Sequence, residues 1–137
     1  MAETLGDARG WRRAGAQFTE VQSGCSFRVI LSEARYLPTF SAGCSQYWSC
    51  RVGDLIIIND WRWRTGTDAW NNGGGSLLDY RRMVLNHEVG HFLGWWDNEI
   101  VCQGPGLPAP LMQQQSMDLR GCAPNPWPID AELQIRR

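Results

Sequence analysis

The chain has only two histidines, and both stand in one five-residue stretch, His87-Glu88-Val89-Gly90-His91. Residues four apart share a face of a helix, so the two imidazoles project together and can bind one metal ion. Glu88 lies beside the first histidine and cannot share its ligand geometry; it is placed to take a proton from a water on the metal. Zinc held by three protein ligands keeps a fourth position for such a water and lowers its pKa to about 7. These residue types point to hydrolysis. Water attacks a polarised carbonyl as Glu88 removes its proton, and the proton then passes to the leaving amine. The bland alternative is a pair of helix histidines satisfied by ordinary hydrogen bonds, and finding the chain's only two at this spacing weighs against it.

The third ligand is sought just beyond. In His91-Phe92-Leu93-Gly94-Trp95-Trp96-Asp97, Gly94 lets the backbone turn back sharply, so that Asp97 can reach the same ion, and a carboxylate is a legitimate zinc ligand. Glu99 and Cys102 compete with it: Glu99 is close in sequence, and a Cys102 thiolate would favour a structural or inhibited site. Trp95 and Trp96, directly behind the helix, are candidates for the wall of a side-chain pocket or for core.

The elements that must hold these residues can be read in outline. Ser76 offers an N-cap with Asp79 three residues later, and the pattern stays helical to about Leu93, where Gly94 can end the helix. Gln17–Val21 and Ser26–Leu31 alternate by side as strands do, and Asp54–Asn59 carries the apolar run Leu55-Ile56-Ile57-Ile58 of a strand buried on both faces. Trp61-Arg62-Trp63-Arg64 alternates aromatic with cationic residues and reads as a strand with one exposed face or a cleft rim. We therefore expect one domain over residues 1–137, with an irregular lead-in (1–15), a sheet plus active-site helix (16–94) and a loop-rich lower part (95–137). The order of strands, then one long helix, then a Pro-rich tail gives an α+β class.

Composition removes several function classes. With 137 residues and 43% apolar, the chain can bury one real core. Thirteen basic against fourteen acidic residues give a net charge of −1, which argues against nucleic acid as a partner. All the basic residues are arginine. The longest apolar run is far below the ~20 residues of a membrane span. Five cysteines in so short a chain suggest an oxidising compartment. No charged-then-apolar leader opens the chain, so we expect a secreted or cell-surface protein whose export signal has been removed. Cys44 and Cys50 can close a short loop, and Cys102 and Cys122 can staple a Pro/Gly-rich stretch, which leaves Cys25 over; other connectivities stay open at this level.

His87-Glu88-Val89-Gly90-His91-Phe92-Leu93-Gly94-Trp95-Trp96-Asp97 resembles the metzincin zinc-peptidase signature, with Asp in place of the usual third histidine, as in the snapalysin group of small secreted bacterial neutral proteases. The tail around Met112-Gln113-Gln114-Gln115 and Gly121–Pro128 also resembles an uncharacterised actinobacterial secreted domain family that shares the His-Glu-Val-Gly-His helix. The metzincin resemblance implies a twisted, mostly parallel sheet of about five strands, an active-site helix, and a cleft whose edge strand pairs with an extended peptide. It implies one catalytic Zn2+ on His87, His91 and Asp97, Glu88 as base and then acid, and Met112 in the turn beneath the metal, with Met117 as the competing choice. Trp61–Arg64 is the candidate rim. No Tyr follows Met112, so no oxyanion-stabilising side chain is assigned. The expected protein is a monomeric endopeptidase acting on extended peptides or proteins. A zinc-stabilised, catalytically weak module that binds peptide or sugar, and a metal-free interaction domain using the Trp/Arg segment, are the competing readings.

Overall fold

The computed structural model describes all 137 residues. In chain order the elements are α1 (Ala2–Gly6), β1 (Arg28–Ser32), α2 (Leu37–Phe40), β2 (Cys50–Val52), β3 (Leu55–Asn59), α3 (Asp60–Thr65), α4 (Asp68–Asn72) and α5 (Leu77–Phe92). Single 3-10 turns lie at Trp11–Ala14, Ala34–Tyr36 and Asp130–Glu132.

The apolar run in β3 makes it the middle strand of the sheet, in the order β1-β3-β2. β1 runs parallel to it, pairing Arg28 with Leu55 through Ser32 with Asn59, and β2 runs antiparallel, pairing Cys50 with Ile57. Gly53, at φ 59°, supplies the positive φ that the two-residue turn between β2 and β3 requires. Both faces of β3 are covered: Ile56 and Ile58 join the main core, and Ile57 packs with Leu37 and Cys44 on the other side.

This architecture corrects the expected α+β fold with about five mostly parallel strands. The sheet has three strands, one pair parallel and one antiparallel. Gln17–Val21 forms no strand, because Phe18 spends its apolar surface on an edge-to-face contact with Phe27, 6.0 Å between centroids, instead of on a sheet face. Trp61–Arg64 is helical. The Asn59 side chain accepts from Trp61 N and Arg62 N, capping α3 at its first turn, and this local cap outweighs the strand-like alternation. The rim of the cleft is therefore not a Trp/Arg strand. The lead-in contributes to the core: Trp11 is 1% exposed and sits in the main cluster with Trp70, Tyr80, Leu85, Val89 and Met112.

Residues 95–137 carry no further strand pairing than an isolated bridge between Pro108 and Ala123, and a disulfide joins Cys102 to Cys122 across them. A second disulfide, Cys44–Cys50, closes the loop leading into β2, and Cys25 is a free thiol. Two disulfides in so small a chain are compatible with an extracellular setting. No helix is long and apolar enough to cross a membrane.

Candidate metal centre

The site is built on α5. Ser76 Oγ accepts from Asp79 N at 3.1 Å and starts the helix. Every residue from Met83 to Gly90 is buried, so this stretch of α5 is core helix, and His91 follows half-buried at its end. Its end is a Schellman turn: Trp95 N donates to Gly90 O, Gly94 N donates to His91 O, and Gly94 sits at φ 99°. The reversal brings Asp97 back over the face that carries His87 and His91.

The three side chains converge. His87 Nε2 lies 2.9 Å from Asp97 Oδ1 and His91 Nε2 lies 3.5 Å from the same oxygen, with the two imidazole planes perpendicular. Tetrahedral zinc with ligands near 2.0–2.1 Å would set neighbouring ligand atoms about 3.3 Å apart, so this cluster has the dimensions and donor types to hold a metal ion.

The hydrogen bonds at the other ring nitrogens decide what the centre requires. His87 Nδ1–H donates to Leu111 O at 2.8 Å, and His91 Nδ1–H donates to Trp95 O at 2.9 Å. A carbonyl only accepts, so both Nδ1 atoms carry protons and both neutral rings present Nε2 lone pairs toward the Asp97 carboxylate. Two lone pairs and an anion facing one point need a cation between them, either a metal or a proton. Without metal the proton takes that place. Burial would depress the His91 pKa, but the Asp97 hydrogen bond, the Glu88 charge and the Trp95 carbonyl together raise it to about 8. Burial would likewise push Asp97 up, and its hydrogen bonds to the two imidazoles overcome that and bring it well below the usual carboxylate range.

Glu88 is 5% exposed, and its buried Oε2 has no hydrogen-bond partner. Burial pushes its pKa up, against the pull of the neighbouring imidazoles. The carboxylate lines a cavity of about 550 Å3 together with His87, His91 and Asp97. Ser49, Cys50 and Arg51, at the start of edge strand β2, line another wall, and Trp48, Trp96 and Met117 lie along it too. Trp95 is core at 2% exposure, whereas Trp96 is 77% exposed beside Asp97.

Met112 is fully buried beneath the helix, and a Cβ built on Gly90 would come within 2.3 Å of its Sδ and 2.9 Å of Trp11 Cζ2. Gly90 is thus the residue that lets the Leu111-Met112 turn approach the stretch of α5 that carries His87 and His91. Met117 is 52% exposed at the cavity mouth and far less enclosed. Cys102 is committed to Cys122, and Glu99 turns away from the cluster to accept from Trp96 N and pair with Arg136.

Two residues that the sequence did not single out hold this geometry. Asn98, at φ 57°, locks the Asp97 segment to the turn: its N donates to Met112 O, its Nδ2 to Gln114 Oε1, and its Oδ1 accepts from Gln114 N. Asparagine's tolerance of left-handed backbone is the one signal in the sequence for that role. Glu132 is fully buried and accepts from three backbone amides, Leu111 N, Met112 N and Ile129 N, at 2.7–2.9 Å. Burial pushes its carboxyl up while those donors hold the anion.

A family model described as a protein of unknown function (DUF3152) matches residues 1–130. No curated protein and no solved structure matches the chain.

Proposed function

The chain belongs to the DUF3152 family of proteins of unknown function, and we propose that it is an exported zinc-dependent endopeptidase of metzincin type, related in its motif to the snapalysins. The observation that carries this reading is the ring-nitrogen accounting. With both Nδ1–H groups spent on backbone carbonyls, His87 and His91 offer Nε2 lone pairs toward the Asp97 carboxylate, at the edge of a cavity whose buried carboxylate, Glu88, lacks a partner.

His87, His91 and Asp97 would hold the ion. Zinc bound there supplies a Lewis acid for the substrate carbonyl and brings the pKa of a water ligand to about 7. The Glu88 carboxylate would take the proton of the attacking water, and burial, which pushes its pKa up, would let it keep that proton until the carbon–nitrogen bond breaks. The same carboxylate would then deliver it to the departing amine nitrogen. An extended peptide can add beside β2, the antiparallel edge strand along the cavity, through main-chain hydrogen bonds. Arg51, on that strand, donates to His91 O and ties the edge to the active-site helix. Trp48, Trp96 and Met117 suit apolar or aromatic substrate side chains.

The test is digestion of a mixed peptide library by zinc-loaded wild type beside zinc-loaded Glu88→Ala. Cuts present in the first and missing from the second support the peptidase. A folded, zinc-loaded wild type that cuts nothing refutes it in favour of a zinc-stabilised binding module, and a wild type that takes up no zinc refutes the metal centre itself.

A further inference from the structure

The carbonyls behind the two histidines belong to peptide groups whose other ends are also engaged. The Leu111–Met112 peptide accepts His87 Nδ1–H at its oxygen and donates its N–H, Met112 N, to Glu132 Oε1 at 2.7 Å. The Trp95–Trp96 peptide accepts His91 Nδ1–H at its oxygen and donates its N–H, Trp96 N, to Glu99 Oε1 at 2.7 Å. Each imidazole is thus joined through one peptide bond to one glutamate. In each case the hydrogen bonds run in the same sense, from imidazole N–H to amide oxygen and from amide N–H to carboxylate. Two such bonds polarise the amide between them cooperatively.

We infer that Glu132 and Glu99 are the remote carboxylates of two peptide-bridged relays that tune and orient the metal-facing nitrogens of His87 and His91. A carboxylate bonded directly to a metal-ligating histidine fixes its tautomer and makes it a stronger ligand; here the peptide passes the same influence one bond further. The two relays are unequal. Glu132 is fully buried, has no ion-pair partner, and meets three N–H donors with no acceptor for a proton of its own, so its charge is directed at the Leu111–Met112 turn. Glu99 is exposed and paired with Arg136, so solvent and guanidinium absorb most of its field. Both are positioning residues, for neither lines the cavity. The inference rests on the metal-centre reading proposed above.

The test uses the full chain as wild type, Glu132→Gln and Glu99→Gln, with zinc affinity read by chelator competition and the imidazole Nδ1–H protons read by NMR. Glu132→Gln should weaken zinc about tenfold, the low end of what loss of an outer-shell partner costs. Glu99→Gln should stay within about twofold because its charge is already screened. The resonances give the reading that a merely structural role would not move. Glu132→Gln shifts the His87 Nδ1–H signal upfield and leaves that of His91, and Glu99→Gln does the reverse. Should Glu132→Gln fail to fold even under saturating zinc, the Glu99→Gln resonances alone decide: a selective shift at His91 supports the relays, and none overturns them. Zinc bound by all three proteins with both resonances unmoved or moving together overturns the relays and leaves the metal centre standing. A wild type that binds no zinc removes both.

Discussion

Stripped of metal with a chelator, the protein should lose stability as the pH rises from 6 to 9. The His91 pKa is about 8 in the folded chain, above the ordinary 6.5 of an unfolded histidine. A group raised on folding contributes fully below its unfolded value, and that contribution is lost as pH climbs through the folded one. The difference of about 1.5 units is worth about 2 kcal/mol at 1.36 kcal/mol per unit, and the His91 side chain, 18% exposed, is sheltered enough for the conversion to hold. Asp97 works at the other end. Its carboxyl is depressed, so its contribution is present above about pH 4 and is lost on acidification. The contribution of the His91–Asp97 pair to metal-free stability should therefore be greatest between about pH 4 and 6.5. For a domain of this size, 2 kcal/mol corresponds to a fall in Tm of about 7 °C between pH 6 and 9. Calorimetry in the presence of chelator measures it directly. Zinc must reverse the trend, because the proton on His91 Nε2 competes with the metal and leaves as pH rises, so the stabilisation by added zinc grows over the same range. A metal-free Tm that is flat or rises from pH 6 to 9 would refute the claim that a cation is required where the two imidazoles meet Asp97.

Three further perturbations probe what holds the site. Gly90→Ala gains about 1 kcal/mol in helix propensity but drives a methyl into Met112 Sδ and Trp11, so a net loss of about 1–2 kcal/mol is expected in urea denaturation, and unchanged stability would show that the turn is not seated against the helix. Asn98→Ala removes both side-chain bonds to Gln114 and leaves a non-glycine residue at φ 57°; it should cost about 2 kcal/mol and weaken zinc measurably, whereas an unaltered zinc titration would mean Asp97 needs no such anchor. Reducing Cys102–Cys122, which spans 20 residues, should cost about 3 kcal/mol by loop entropy, and a melting curve indifferent to reductant would contradict it.

What could be read beforehand was what depends on local spacing. The four-residue interval between His87 and His91, the cap at Ser76 and the glycine at 94 act within one or two turns of chain, and α5 follows them to its Schellman end. The apolar run 55–58 was legible for a similar reason, since a strand covered on both faces leaves no polar residue to interrupt it. The two disulfides are the pairings that short-loop closure and the Pro/Gly-rich stretch suggested, among connectivities the sequence left open. The errors lie where one pattern fits two structures. Trp61–Arg64 alternates like a strand, but it lies in a helix that the Asn59 side chain caps and an Asp60–Arg64 pair spans. Gln17–Val21 alternates too, yet only Phe18 is half-buried there, against Phe27, and the rest of the segment is exposed. The count of about five strands came from the metzincin resemblance, which the three-stranded sheet does not follow, and the edge along the cavity fell to β2, whose three residues are too few to show any periodicity.

The supports of the His87–His91–Asp97 cluster escaped for a deeper reason. Glu132 and Glu99 act on His87 and His91 through main-chain groups, and the amide of Met112 or the carbonyl of Trp95 is present whatever side chain stands there. No residue type in the intervening peptide marks the connection, and 45 positions separate His87 from the glutamate behind it. Glu99 did draw notice as a carboxylate near the motif, for the wrong role: proximity in sequence suggested a ligand, whereas the turn after Gly94 spends its side chain on Trp96 N and Arg136. A buried glutamate near the end of a chain, with no basic partner to neutralise it, is costly unless backbone donors satisfy it. Here three of them do, and two come from the turn that orients His87. The expense of burying Glu132 is therefore tied to the place where a fixed negative charge strengthens a histidine's hold on a cation, and the same carboxylate on the surface would lose that influence to solvent.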